Sequence, residues 1–343
     1  MKKTIKPFNI LLPLFLLLQL NLFAQDDKGD KGGKGDKGEK NEKKYDFTKT
    51  KSVNKSYNVS SNDKLSIDNE FGKVEVHTWD KNEIKVDVSI EVSANKEELA
   101  QRVIDGITVS DAQKGRDISF KTTIKSSNNS SHDEKSTMHV NYSISMPASN
   151  PLNVSNQFGA TTIPDYRGEV ELNSKFGSLT AGALSNIKTI NVEFGKANFQ
   201  SIANGTVTVK YSKAEFSKLV GNIKLNLEFC GVTKVNMDNT LTGLDVKSSY
   251  SSVNLKPTAD LSAAYTISTS FGSLKNNTSV KFDGDDNGDD SKGPKFDHKY
   301  NGKSGSGNIQ IKVSTNFGKI ILGEPGPDDM KDKEKSKSRS RTS

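Results

Sequence analysis

Residues 172–195 read LNSKFGSLTAGALSNIKTINVEFG, one period of a pattern that runs through most of the chain. The aromatic-small pair Phe176-Gly177 returns 18 residues later as Phe194-Gly195. Related pairs stand at Phe71-Gly72, Phe158-Gly159, Tyr211-Ser212, Phe229-Cys230, Tyr250-Ser251, Phe271-Gly272 and Phe317-Gly318. From Phe158 to Phe229 the spacings are 18, 18, 17 and 18 residues. A short fixed period means stacked units, none of which can bury its apolar face alone.

Four residues before the aromatic the residue is always apolar: Ile67, Val154, Leu172, Ile190, Val207, Leu225, Val246, Ile267 and Val313. That position is in period-two phase with the ring, which predicts one inward-facing strand carrying both. Three and five residues after the ring the apolar set has slipped by one, as in Leu179 and Ala181 or Ala197 and Phe199, so the chain must bend at the small residue, where glycine permits a corner. Tyr166, Leu184, Ile202, Leu219, Met237 and Trp79 supply a third inward anchor, followed by turn residues such as Asn186 and Asn204. The expected fold is an all-β parallel solenoid of ~17–21-residue coils. Its structural ladder of Phe71, Phe158, Phe176, Phe194, Tyr211, Phe229, Tyr250, Phe271 and Phe317 points inside. A ring so placed would make Phe194→Ala cost about 3–5 kcal/mol. Just before the ring stand Lys175, Glu193, Lys210 and Glu228, opposite charges on successive coils. An antiparallel sandwich or barrel is the rival architecture, since strands every 8–12 residues also suit it.

The stretches Leu65 to Val76 and Leu152 to Ile163, in which an alternating strand leads into Asn-x-Phe-Gly, resemble bacterial adhesin-candidate families of unknown function. The resemblance covers Lys64 to Gly323 and implies a surface or periplasmic β-solenoid. The chain departs from the pattern at Tyr211-Ser212, Phe229-Cys230 and Tyr250-Ser251, and by the insertion after Phe271.

Outside the repeats, Lys2, Lys3 and Lys6 precede an apolar stretch from Ile10 to Leu18, and small Ala24 precedes a polar segment, which reads as a signal peptide over residues 1–24. Pro13, Gln19 and Asn21 interrupt the stretch, so no transmembrane anchor is expected. Residues 25–50, rich in Lys, Gly and Asp, read as a disordered spacer, and 324–343 as a disordered charged tail. Residues 51–148 read as a mostly β N-terminal segment and cap, with one short helix over Lys96 to Asp105 capped near Asn95. The solenoid repeats take 149–323, interrupted by a flexible acidic insertion at 281–306.

The chain has 343 residues and 49 Lys and Arg against 42 Asp and Glu, a net +7 concentrated at the two ends, which gives no support to nucleic-acid binding. Its one cysteine, Cys230, excludes an internal disulfide and reads as a buried apolar residue. His77, His132, His139 and His298 are scattered without metal-ligand spacing, and no nucleophile or phosphate-loop motif occurs. Asp283, Asp285, Asn287 and Asp289 form a weak calcium candidate, but Pro294 stands where a bidentate Glu belongs. The reading is an exported monomer in the periplasm, on the outer surface or secreted. It has no catalytic or cofactor site, and acts as an adhesin or envelope structural protein that meets glycans or other cell-surface components. Polysaccharide binding or processing on the same fold, and a ligand-free spacer, are the alternatives.

Overall fold

The computed structural model describes residues 45–125, 133–284 and 296–326. Among these, 21 strands join into one mostly parallel sheet, and the single helix is nine residues long. The repeat places one strand on each of two faces. Strand β11 (Ser178–Glu193) pairs in parallel with β12 (Lys196–Lys210) along both halves. Leu179 lies beside Ala197 on one face and Ile190 beside Val207 on the other, with a register slip between Leu184 and Thr189 where the chain turns. Strands β10 (Tyr166–Lys175), β13 (Lys213–Glu228) and β14 (Val232–Ser249) extend the same stack.

The stack begins earlier than residue 149. Strands β2 (Lys64–Glu70) and β3 (Val74–Trp79) flank Phe71 and pair in parallel with β8 (Leu152–Gln157) and β9 (Thr161–Ile163). Beyond this first rung, β7 (Ser136–Pro147), β4 (Glu83–Ala94) and β1 (Phe47–Asn58) continue one face, the last two pairs antiparallel. Strands β6 (Asp117–Ile124) and β5 (Ile107–Lys114) continue the other. Helix α1 (Glu97–Asp105) links β4 to β5 and buries Leu99, Ala100 and Ile104. Its N-cap is Lys96 with no side-chain bond; Asn95, the expected cap, instead holds the hairpin base, donating to Asp133 O and accepting from Lys135 N. Strand β1 opens at Phe47, inside the stretch read as spacer.

At the other end the order in space is not the order in sequence. The last strands, β20 (Ile309–Asn316) and β21 (Lys319–Gly323), sit between β14 and β15 (Ser252–Pro257) on one side and β16 (Ala263–Ser270) and β17 (Ser273–Asn277) on the other. Within the insertion expected to be flexible, β19 (Asp297–Lys303) pairs antiparallel with β16 and with β18 (Phe282–Gly284), while residues 285–295 lie outside the described residues.

The core follows the slipped alternation. Ile190, Leu172 and Val207 before the corner, and Leu179, Ala197, Phe199, Phe216, Leu184 and Ile202 after it, are all buried. Trp79, expected among the inward anchors, is half-buried, its indole N–H donating to Glu83 O. The corner rings do not point inside. Phe176, Phe194, Tyr211, Phe229, Tyr250, Phe271 and Phe317 are 44–52 % exposed. Each of the nine aromatics takes a left-handed φ of 49–58°, and this reverses the alternation at the ring itself. The strand phase predicted an inward ring because a continuing strand would have placed it there; the positive φ falls on the aromatic, not on the glycine.

The N-terminal end is closed by side chains that bridge the two outermost strands. Tyr57 Oη on β1 donates to Asp111 Oδ2 on β5 at 2.5 Å, and Lys55 pairs with the same carboxylate at 3.3 Å. Burial, then the Asp111 bond, pushes the Tyr57 phenol up to about 12, and the Tyr57 hydrogen bond holds Asp111 below the usual carboxylate range.

Two outcomes check this arrangement. Phe199 stacks on Phe216 at 5.0 Å, fully enclosed, so Phe199→Ala is expected to cost about 3–5 kcal/mol in denaturant unfolding. Phe194→Asn, which suits a left-handed backbone, should cost less than half of that. For the closure, a depressed folded pKa gives stability that is full above ~4 and lost as pH falls through the folded value. Tyr57→Phe should therefore unfold more easily than wild type at neutral pH, and the gap should narrow in melting curves below pH ~4.

Candidate functional site

The outward rings form one ribbon. In spatial order they are Phe71, Phe158, Phe176, Phe194, Tyr211, Phe229, Tyr250, Phe317, Phe271 and Phe296, with centroid steps of 4.8–5.0 Å. All nine pairs are stacked, eight of them within 9° of parallel and Phe271–Phe296 at 20°. The spacing is that of neighbouring strands, so the ribbon is about 45 Å long. Faces of interior rings are covered by their neighbours, and solvent meets ring edges.

A left-handed non-glycine residue costs about 1–2 kcal/mol. A stacked aromatic pair returns about 0.5–1.5 kcal/mol beyond burial, so the strain is offset only because each ring has another beside it. The backbone is satisfied at the same place: Phe176 N donates to Glu193 O, Phe194 N to Lys210 O and Tyr211 N to Glu228 O, at 2.9–3.1 Å.

The small residue after each ring answers a different constraint. A Cβ on Gly177 would collide with Gly159 O, and one on Gly195 with Gly177 O, because corner backbones sit directly over one another. Where glycine is absent, the side chain is buried and bonded. Ser212 Oγ accepts from Gly195 N at 2.9 Å and donates to Lys210 O at 2.7 Å, and Ser251 Oγ accepts from Cys230 N at 2.8 Å. The Cys230 thiol is likewise enclosed, its pKa pushed up by burial.

Beside the ribbon runs the alternating charge column. Lys175 pairs with Glu193 at 3.2 Å and Lys210 with Glu228 at 2.8 Å, both exposed pairs of the kind worth about 0.2–1 kcal/mol. On the opposite flank stand Lys73, Lys196, Lys213 and Lys319, of which Lys196 and Lys213 lie in register. Near the C-terminal end a shallow groove of about 650 Å³ is lined by Lys247, Ser268, Asn316, Asp297, His298 and Lys299.

The remaining candidates do not converge. His77 and His139 lie on different strands and His298 in the groove, while His132 is outside the described residues. Asp283 sits in β18; Asp285, Asn287 and Asp289 are outside the described residues. Among the described residues no three His, Cys, Asp or Glu gather to hold a metal ion, and no helix is long and apolar enough to cross a membrane.

Comparison with known proteins adds little beyond this geometry. No family profile matches the sequence, and no curated protein matches it. Solved structures do. A candidate cell-adhesion protein from Clostridium sporogenes ATCC 15579 is 15 % identical, with 81 % of this chain and 100 % of that chain covered at a TM-score of 0.25. A candidate adhesin from Bacteroides fragilis NCTC 9343 is 13 % identical, covering 79 % and 97 % at 0.34. A candidate lipid-binding protein from Parabacteroides distasonis ATCC 8503 is 11 % identical, covering 81 % and 98 % at 0.26. Identities and scores at this level transfer no function.

The corner can be tested at one atom. Gly177→Ala should destabilise by about 1–3 kcal/mol in chemical denaturation, the usual cost of overpacking. An unchanged midpoint would show that the neighbouring rung has room to move.

Proposed function

We propose that this chain is exported, that its parallel stack is a β-solenoid of ~17–21-residue coils, and that it works without catalysis in adhesion or envelope architecture. The observation that carries the reading is the ribbon. Eight half-exposed rings at 44–52 % exposure, with ~200 Å² to a Phe or Tyr side chain, leave on the order of 800 Å² of contiguous apolar surface. The largest such patch on an ordinary monomer is about 300–600 Å², so a strip of this size marks a contact surface. The charged leader at Lys2 to Lys6 and its apolar run support export to the periplasm, the outer surface or the medium.

A second reading, polysaccharide binding or processing, draws on the groove, where Asp297, His298 and Lys299 stand among hydroxyl and amide side chains. Glycans fit the groove better than the ribbon, since a sugar packs on a ring face and the interior faces are covered.

Beads coated with the purified chain should retain bacterial envelope fragments, and beads coated with Phe194→Asn/Phe229→Asn should not. Equal retention by both would remove the ribbon from the function. A glycan-array signal lost in Asp297→Asn/His298→Ala but kept in the ribbon variant would move the activity to the groove.

A further inference from the structure

The ribbon has a built-in fit to itself. We propose that it is an isologous dimer interface, in which two copies of this chain pack ribbon against ribbon, antiparallel, about a two-fold axis between Phe194 and Tyr211. The sequence reading expected a monomer; the outward ribbon is the observation that points to a pair instead.

Area is the first observation. The rungs that overlap run from Phe71 to Phe317, where six rings that are 44–51 % exposed supply roughly 600 Å², most of the ~800 Å² that one partner contributes to a standard stable interface. Rings 4.8–5.0 Å apart on one copy meet rings of the same spacing on another over these eight rungs, with Phe271 and Phe296 beyond the overlap, a match that an unrelated surface lacks.

Charge is the second, and it selects the arrangement. A two-fold axis perpendicular to the ribbon brings the column before the rings against the same column of the partner, reversed. The order Lys175, Glu193, Lys210, Glu228 alternates over an even number of steps, so its reversal is its own complement. With the axis between Phe194 and Tyr211, Glu193 faces Lys210 of the partner subunit and Lys175 faces Glu228 of the partner subunit. Further out, Gln157 faces Ser249 of the partner subunit and Glu70 faces Asn316 of the partner subunit, so no like charges meet on this flank. Moving the axis one rung toward Phe176 sets Glu70 against Glu228 of the partner subunit. Moving it one rung toward Phe229 sets Glu70 against Asp297 of the partner subunit.

The lysine flank opposes this pairing, because Lys196 meets Lys213 of the partner subunit and Lys73 meets Lys319 of the partner subunit. Long lysine stems carry those charges away from the contact, that of Lys73 onto Glu75 at 2.9 Å, whereas the shorter glutamates hold the other column at the contact. Interface charges set register and choice of partner more than affinity, so the apolar strip supplies the attraction and the Lys/Glu column fixes the alignment.

The proposal deepens the reading of the ribbon as a contact surface. Self-association is measured without cells or glycans, so either reading can fail alone. In sedimentation of the full chain up to ~0.1 mM, where a Kd of ~1 µM leaves little monomer, wild type should dimerise. Phe194→Asn/Phe229→Asn should be monomeric with unchanged circular dichroism. Lys175→Glu and Glu228→Lys should each weaken the dimer about tenfold, since two attractive pairs become repulsive. An equimolar mixture of the two should restore it, because each reversed charge then meets its opposite. Wild type that stays monomeric overturns the proposal, as does a dimer indifferent to the ring substitutions or a mixture no tighter than its components. A monomer that instead co-sediments with anionic phospholipid vesicles also overturns it, and gives the ribbon to a membrane surface.

Discussion

The left-handed φ of the aromatic residue at each corner is the constraint on which the stack depends. A strand that alternates in and out must change direction to cover a second face, and a single residue in the left-handed region does this while reversing the alternation. Three features follow from that torsion. The apolar set before the corner and the slipped set after it both point to one core. The ring is expelled to the surface. The next residue is pressed against the carbonyl of the neighbouring rung, where only glycine, or a small side chain that bonds the backbone, fits. An isolated aromatic in this conformation is strained, and its neighbours on the adjacent rungs stabilise it. The corner is therefore cooperative along the stack, not a local turn.

Stacked strands leave open edges, and the two ends meet that hazard differently. At the N-terminal end, β1 is an edge strand carrying Lys49, Lys51 and Lys55. Side-chain bonds to Asp111 and Ile107 O tie it to the opposite face, and α1 covers the connection. At the C-terminal end the face carrying β16 is finished by the antiparallel β18–β19 hairpin. Among the described residues β17 pairs only with β21. Insertion of β20 and β21 between earlier strands means that the stack cannot be completed until the end of the chain is in place.

The surface consequence is that this fold displays its largest side chains. Buried Phe199 and Phe216 belong to the core, but most of the aromatic content of the repeats stands in one line outside it, with charges beside it at the same period. Repetition at the strand spacing turns small per-residue preferences into an extended surface, and such a surface suits contact with another periodic object better than capture of a small molecule.

Much of this was legible in the residues. The period, the strand phase at positions such as Leu172 and Ile190, the Lys/Glu column and the order of the ring positions from Phe71 to Tyr250 are properties of spacing alone, because stacking at a fixed rise makes equivalent positions neighbours. The side on which the rings lie was not legible. Period-two phase assigns Phe176 to the inside as long as the strand continues, and nothing in a Phe-Gly dipeptide announces that the phenylalanine, not the glycine, takes the positive φ. The place of the last rung was also hidden: Phe317 stacks on Tyr250 and Phe271, a choice made by which strand edges remain open after the rest has formed. The sequence by itself determined a periodic β chain with matched columns of side chains. The tertiary structure decided which columns face water, because the crowding of one rung's carbonyl against the next exists only once the rungs are stacked.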